Sequence, residues 1–117
     1  MQRVEAENFA RDWVAAWNDR DIGAVLAHYD DEITFHSPGI ALVTGKQVGS
    51  ITGKSQLRSY WLEALERAPK LYFALDQVFT GSDTITLLYI NHRDQSVTET
   101  FIFGETGKVV RAMVAYA

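Results

Sequence analysis

Residues 84–103 read TITLLYINHRDQSVTETFIF, two alternating runs joined by the polar turn Arg93-Asp94-Gln95, which is the pattern of a β-hairpin. Alternate residues of a strand point to opposite sides. One phase holds Ile85, Leu87, Tyr89 and Asn91 with Val97, Glu99, Phe101 and Phe103; the other holds Thr84, Thr86, Leu88 and Ile90 with Thr98, Thr100 and Ile102. With Arg93-Asp94-Gln95 as a three-residue loop, His92 is expected opposite Ser96, Tyr89 opposite Glu99, Leu87 opposite Phe101 and Ile85 opposite Phe103. The first phase is then a core face interrupted by one Tyr and one Glu. The second is too polar for a core and too apolar for a wet surface, which suits contact with a second copy of the chain. A homodimer through this outer face, joined by Arg111 and Met113 of the last strand, is the expectation.

Beyond the hairpin, Gly104-Glu105-Thr106-Gly107 is a turn, and Val110, Ala112, Val114 and Tyr116 form the inward phase of a final strand. Gly81-Ser82-Asp83 separates the hairpin from an earlier strand-like run that begins near Leu71. Four runs with short connections make an antiparallel meander. Ahead of them, Ala6, Phe9, Ala10, Trp13, Ala16 and Trp17 keep one stripe on a first helix. Asp21 is placed to cap a short second helix carrying Ile22, Val25, Leu26 and Tyr29. Ile33-Thr34-Phe35-His36-Ser37 alternates like a strand and stops at Pro38. PGIALVTGKQVGSIT, residues 38–52, shows no helical period and reads as a long mobile loop at the pocket mouth. A third helix from near Lys54 sets Leu57, Tyr60, Trp61, Ala64, Leu65 and Ala68 on one face, and Pro69 ends it. The class is α+β, with three N-terminal helices packed on a curved, mainly antiparallel sheet. A chain of 117 residues forms one domain, residues 1–117.

Composition narrows the function classes. Eleven Lys+Arg against fifteen Asp+Glu give a net charge of −4, with no basic run, so neither nucleic acid nor an anionic membrane is an expected partner. The chain has no cysteine, which excludes disulfides, a thiolate nucleophile and cysteine-ligated metals. His28, His36 and His92 lack ligand spacing with one another or with an acid, so neither a metal nor another cofactor is expected. Gly49-Ser50-Ile51-Thr52-Gly53-Lys54-Ser55 precedes a helix but has three residues between its glycines where a phosphate loop needs four, and no strand leads into it. No apolar run approaches a membrane span, and the first residues lack the apolar core of a signal peptide, so a cytoplasmic protein is the expectation.

The Phe-rich face must take the helices, which brings Trp13, Trp17 and Trp61 together over it. Glu99 is the exception there, because burying an unpaired carboxylate costs several kcal/mol or forces protonation. With Tyr89 beside it, Glu99 is a candidate general acid/base, and its pKa is expected above the ordinary carboxylate value. The alternative is a structural Tyr–Glu hydrogen bond in a polar patch. Ser37 and Tyr116 are further pocket candidates, although no nucleophile turn surrounds Ser37.

The helices and meander, with FARDWVAAWNDRDIGAVLAHYDDEITFHSP, TGKSQLRSYW and GKVVRAMVAYA, resemble the nuclear transport factor 2-like superfamily, in its SnoaL-like and ketosteroid-isomerase-like branch. The resemblance spans nearly the whole chain and implies a cone-shaped fold, a pocket between helices and concave sheet, and frequent dimerisation through the outer sheet face. Its members include isomerases, cyclases, dehydratases, epoxide hydrolases and noncatalytic binding proteins. In the isomerase pattern, Trp13 stands where a carbonyl-polarising tyrosine is expected, and Ser37 stands at the aspartate base. Glu99 stands at the neutral acid that donates to the oxyanion. Only Glu99 keeps its chemistry, which argues against the isomerase reaction. Tyr29 and Trp61 match aromatic neighbours of that site.

Two functions stay open. One is a pocket for a small hydrophobic or polycyclic molecule, lined by Trp13, Trp17, Tyr29, Phe35, Ser37, Trp61, Leu87, Phe101, Val114 and Tyr116, with cofactor-free proton transfer of an isomerase or cyclase type through Glu99 and Tyr89. The other is a noncatalytic dimeric binding or interaction module whose cone is filled. Pocket volume separates them, with about 300 Å³ or more favouring a ligand.

Overall fold

In a computed structural model describing residues 1–117, α1 (Arg3–Asn18) buries Ala6, Ala10, Trp13, Ala16 and Trp17, the stripe its periodicity demands. α2 (Ile22–Leu26) is a short helix whose first turn is capped by Asp21, the carboxylate accepting from the Ala24 N–H at 3.0 Å. β1 (Tyr29–His36) follows at once, so Tyr29 opens a strand instead of closing the second helix. The polar run Asp30-Asp31-Glu32 conceals that strand start, because it occupies an irregular stretch of β1 between Tyr29 and Thr34.

Residues 38–52 are not loop throughout. They form α3 (Gly39–Thr44) and the edge strand β2 (Ser50–Thr52). Ile40 is fully buried, Gly45 ends α3 in the left-handed region at φ 72°, and β2 pairs with Thr34–His36. One buried anchor and three paired residues give regular structure to a segment with no sustained apolar period. α4 (Lys54–Arg67) then buries Leu57, Tyr60, Trp61 and Leu65. The helices number four, and only two of them precede the first strand.

β3 (Ala74–Thr80), β4 (Thr84–Ile90), β5 (Ser96–Phe103) and β6 (Val109–Tyr116) complete a six-stranded sheet in the order β2-β1-β6-β5-β4-β3. Every pairing is antiparallel except β1 with β6. In the deciding hairpin, Ile85 pairs with Phe101, Leu87 with Glu99, Tyr89 with Val97 and Ile90 with Ser96, a shift of two residues from the expected register. Asn91 is the reason. Its N–H donates to the Gln95 carbonyl, and its carbonyl accepts from Asp94, which stands at φ 60°. Its side-chain oxygen also accepts from Arg93 and Gln95, so the loop is His92-Arg93-Asp94. A shift of two preserves every facing, where a shift of one would have exchanged the faces.

A second correction lies in β6. The register breaks between Ile102 and Phe103, where Phe103 pairs with Val109 and Ile102 with Arg111, leaving Val110 as an extra residue. This bulge reverses parity at the strand's start, so Val109 is buried and Val110 exposed, the opposite of the expected phase. Ala112, Val114 and Tyr116 keep the inward phase. No helix is long and apolar enough to cross a membrane.

Candidate functional site

The concave face is a small grid. One row across β4, β5 and β6 is Leu87, Glu99 and Val114; the next is Tyr89, Val97 and Tyr116. Tyr89 and Tyr116 are thus both diagonal neighbours of Glu99, one on each side, within reach of long side chains. The Tyr89 hydroxyl donates to Glu99 Oε1 at 3.1 Å, and both residues are buried. The shifted register therefore still delivers the Tyr–Glu contact, through a diagonal pair instead of a direct one.

No cation offsets Glu99. The three ion pairs of the chain, Arg3–Glu7, Lys54–Asp31 and Arg67–Glu63, all lie elsewhere. Burial pushes the Glu99 carboxyl up to about 8, against the opposing pull of the Tyr89 hydrogen bond. At neutral pH Glu99 is predominantly a neutral acid that accepts from Tyr89 and still has a proton to give. Desolvation, reinforced by Glu99, also holds the Tyr29 and Tyr89 hydroxyls well above the usual tyrosine value.

The helices supply the aromatic roof. Trp13 Nε1 donates to the Tyr29 hydroxyl at 3.0 Å, so the indole standing at the expected tyrosine position is engaged in its own hydrogen bond. Trp13 and Trp17 meet at 6.2 Å and Trp17 and Trp61 at 5.0 Å between ring centroids, so the three tryptophans do converge. Trp61 packs edge-on against Tyr29 and Phe35, and Phe101 lies 5.2 Å from Trp13. Leu87 is fully buried beneath them, and Val114 is partly buried.

A second polar group sits towards α3. A Cβ on Gly39 would stand 2.9 Å from the Tyr60 hydroxyl, 3.4 Å from Ser37 Oγ and 3.9 Å from the Tyr116 hydroxyl, so three hydroxyls crowd one glycine. Ser37 Oγ accepts from the Gly39 N–H at 3.1 Å. Burial first, then the neighbouring Tyr116, pushes the Tyr60 hydroxyl up to about 12, with Ser37 holding it back. Tyr116 is shifted up by burial and by Glu99, and its side chain reaches solvent. The candidate residues thus form two groups, the buried Glu99–Tyr89 pair under the tryptophans and the Ser37–Tyr60–Tyr116 rim.

Two members were not expected. Tyr60 shares the apolar helix stripe with Trp61, so its hydroxyl gave no separate signal. Phe73 precedes β3 and stacks on Trp13 at 15° and 5.7 Å, against Tyr89 at 4.4 Å, with Trp17 5.8 Å away. The alternation of Leu71, Phe73 and Leu75 was its only sequence signal, and all three pack on the core. Phe73 thus joins the aromatic cluster of Trp13, Trp17 and Tyr89. The two main hollows are elsewhere: about 510 Å³ lined by Leu26, Asp31, Lys54 and Arg58 among others, and about 350 Å³ beside Phe9 and Phe103.

The sequence profile of the SnoaL-like domain matches residues 10–116. A SnoaL-like protein of unknown function from Burkholderia thailandensis E264 is 35% identical, with a TM-score of 0.92 over 100% of this chain and 98% of the other. More distant structures share the fold. TerC, co-crystallised with polyporic acid, is 13% identical at a TM-score of 0.77 over 96% of this chain and 91% of its own. A protein named as a candidate polyketide cyclase from Sinorhizobium meliloti is 12% identical at a TM-score of 0.78 over 98% and 100%. No curated protein matches the chain.

Proposed function

Because the chain belongs to the SnoaL-like domain family, we propose that it binds a small hydrophobic or polycyclic molecule between the tryptophan roof and the concave sheet, and that Glu99 with Tyr89 carries out cofactor-free proton transfer of the isomerase or cyclase type on it. The observation that carries this reading is Glu99 itself: a buried carboxyl raised to about 8, with no cation to hold it for structural reasons. A carboxyl with that affinity for its proton is a donor at pH 7 and becomes a base one unit higher, which suits it to both halves of a proton shuttle. Trp13, Trp17, Tyr29, Phe35, Trp61, Leu87, Phe101 and Val114 supply the apolar walls, and Ser37 and Tyr116 supply polar contacts near the rim. The co-crystallised polyporic acid of TerC and the cyclase name of the Sinorhizobium protein come from proteins that share only the fold, and they support a small organic ligand. A cytoplasmic setting, testable by fractionation, belongs to the same proposal.

The test is native mass spectrometry of the purified chain for a co-purifying compound, followed by titration of wild type and Glu99→Gln with polycyclic phenols and enones. Micromolar binding by wild type, with the Gln variant losing at least tenfold in proton exchange at the ligand carbon acid, is the expected result. Absence of binding throughout favours the second reading.

That second reading is a noncatalytic dimeric module. Its supporting observation is the filled interior, where Trp13, Phe73, Tyr89 and Phe101 pack ring against ring. The homodimer is common to both readings. Its proposed surface is the outer face of Leu88, Ile90, Thr98, Thr100, Ile102 and Met113, all partly exposed, with Arg111 at its edge. A monomer in sedimentation at micromolar concentration would remove it.

A further inference from the structure

Glu99 is hydrogen-bonded on one oxygen only. Tyr89 donates to Oε1, and Oε2 has no partner. Trp17 Nε1 is the single fully enclosed side-chain nitrogen or oxygen in the chain without a hydrogen bond, so Oε2 is not sealed in and keeps part of the 4% exposure of its residue. The rows of the concave face show on which side that opening lies. Towards β4, Leu87 is fully buried, and Tyr89 is buried against Trp13 and Phe73. Towards β6, Val114 is partly exposed and Tyr116 is 44% exposed. The way from Glu99 to solvent therefore runs along β6.

Hydroxyls stand along that way. Tyr116 is the diagonal neighbour of Glu99 on β6, and it is exposed where Tyr29, Tyr60 and Tyr89 are buried. Its hydroxyl shares the surroundings of Gly39 with Ser37 Oγ and the Tyr60 hydroxyl. The titratable groups around Glu99 are Tyr89 from β4, Tyr29 from β1, Tyr60 from α4 and Tyr116 from β6, with Arg93 of the hairpin loop acting on Tyr116. α1 brings Trp13 and Trp17 and α3 brings Ile40, none of which titrates. Burial, reinforced by Glu99, holds Tyr116 above the ordinary tyrosine value, so it stays a neutral hydroxyl that can both give and accept a hydrogen bond.

We propose that Tyr116 is the proton conduit of Glu99: its hydroxyl, linked to Oε2 through a water molecule, passes protons between solvent and the buried carboxyl. The inference rests on the proton-transfer reading above, because a donor whose proton leaves with the ligand must be recharged before the next cycle. In one recharging event the Tyr116 oxygen takes a proton from a hydronium ion while its own O–H proton moves to the linking water, and that water delivers a proton to Oε2. Only O–H bonds form and break. The hydroxyl and the linking water are restored, the hydronium has become water, and the carboxylate has become the neutral acid. Tyr89 does not serve in this role, since its hydroxyl is engaged with Oε1 and its ring is walled in by Trp13 and Phe73.

The experiment needs no ligand. Wild type, Tyr116→Phe and Tyr60→Phe are prepared with carboxyl-labelled glutamate, and NMR reads two quantities for Glu99: its titration midpoint, and the rate of exchange between its protonated and ionised forms at that midpoint. Neither cause of the Glu99 shift comes from Tyr116, so Tyr116→Phe should keep the wild-type midpoint. It should slow the exchange by about tenfold or more, whereas Tyr60→Phe exchanges as wild type does. Unchanged exchange in Tyr116→Phe, or equal slowing in Tyr60→Phe, overturns the conduit and leaves the ligand reading standing. Slowing accompanied by a moved midpoint marks a merely structural effect and overturns it too. A wild-type midpoint at the ordinary carboxylate value removes the proton donor, and with it both the conduit and the reading beneath. Should Tyr116→Phe fail to fold, Tyr116→Leu decides by the same two quantities.

Discussion

The concave and convex faces of β4 and β5 are drawn from the same residues of sequence, one position apart, yet they are finished differently. On the concave side Ile85, Leu87, Tyr89, Val97, Glu99 and Phe101 are all buried within the chain; on the convex side Thr86, Leu88, Ile90, Thr98, Thr100 and Ile102 are only half covered. The concave face places its polar groups in a hydrophobic setting, where each hydrogen bond and proton matters. The convex face ties Thr86 to Thr100 through their hydroxyls at 2.9 Å and otherwise presents aliphatic surface to solvent. The proposal puts proton transfer on the first and association on the second.

The sharpest way to break this comparison is to truncate one large residue on the concave side. Phe101 is fully buried against Phe9 and Trp13, so Phe101→Ala should lose about 3 to 5 kcal/mol in a urea melt. A loss below about 1 kcal/mol would mean that the aromatic core is loosely packed.

Glu99→Gln comes next, and its effect depends on pH. A folded pKa of about 8 against an unfolded carboxylate near 4.3 means that the native state binds the proton more tightly. The wild-type contribution is therefore fully favourable below the unfolded value. It is lost as pH rises towards 8, by at most about 1.4 kcal/mol per unit. Glu99→Gln should flatten that slope and match or exceed wild-type stability at pH 7, by on the order of 3 kcal/mol at most. Urea melts from pH 5 to 8 check this; a destabilised variant with no change in slope would show Glu99 to be held as a charged anchor.

Tyr89→Phe is a smaller perturbation of the same pair. Its hydroxyl favours the ionised carboxylate, so removing it should push the Glu99 titration higher still and cost about 1 kcal/mol. Carbon-detected NMR of the Glu99 carboxyl reads the direction, and a fall would contradict the assigned hydrogen bond. The convex face supplies the smallest effect on folding. Leu88→Lys should change monomer stability by no more than about 0.5 kcal/mol, while shifting sedimentation from dimer to monomer. A large stability loss without a change in mass would mean that this face completes the fold, not an assembly.

Facing was legible in the sequence because strand parity is rigid. The inward set around Glu99 was legible even with the register two residues off, since an even shift preserves facing. The loop chemistry of Asn91 was harder to see, because its side chain competes for backbone donors that a count of turn residues ignores. Parity failed at the start of β6, at Val109 and Val110, where a bulge leaves no composition signal. Residues 38–52 were misread because a six-residue helix and a three-residue edge strand are shorter than the windows over which periodicity is visible. The site divides in the same way. Glu99 stood out as a charge in an apolar phase, whereas Tyr60 and Phe73 were hidden because an aromatic residue facing a core is the commonest pattern of all.

The parallel pairing of β1 with β6 carries a consequence for how the molecule assembles. β3, β4 and β5 are linked by tight turns and can zip together through contacts close in sequence. β1 must wait for a strand some 80 positions away, as in the hydrogen bond from Val109 N–H to His28 O. Closing so long a loop is entropically expensive before any contact rewards it. The meander is therefore expected to order first. The parallel seam, and with it the placement of Ser37 and Tyr60 beside Tyr116, closes in the last and slowest step of folding.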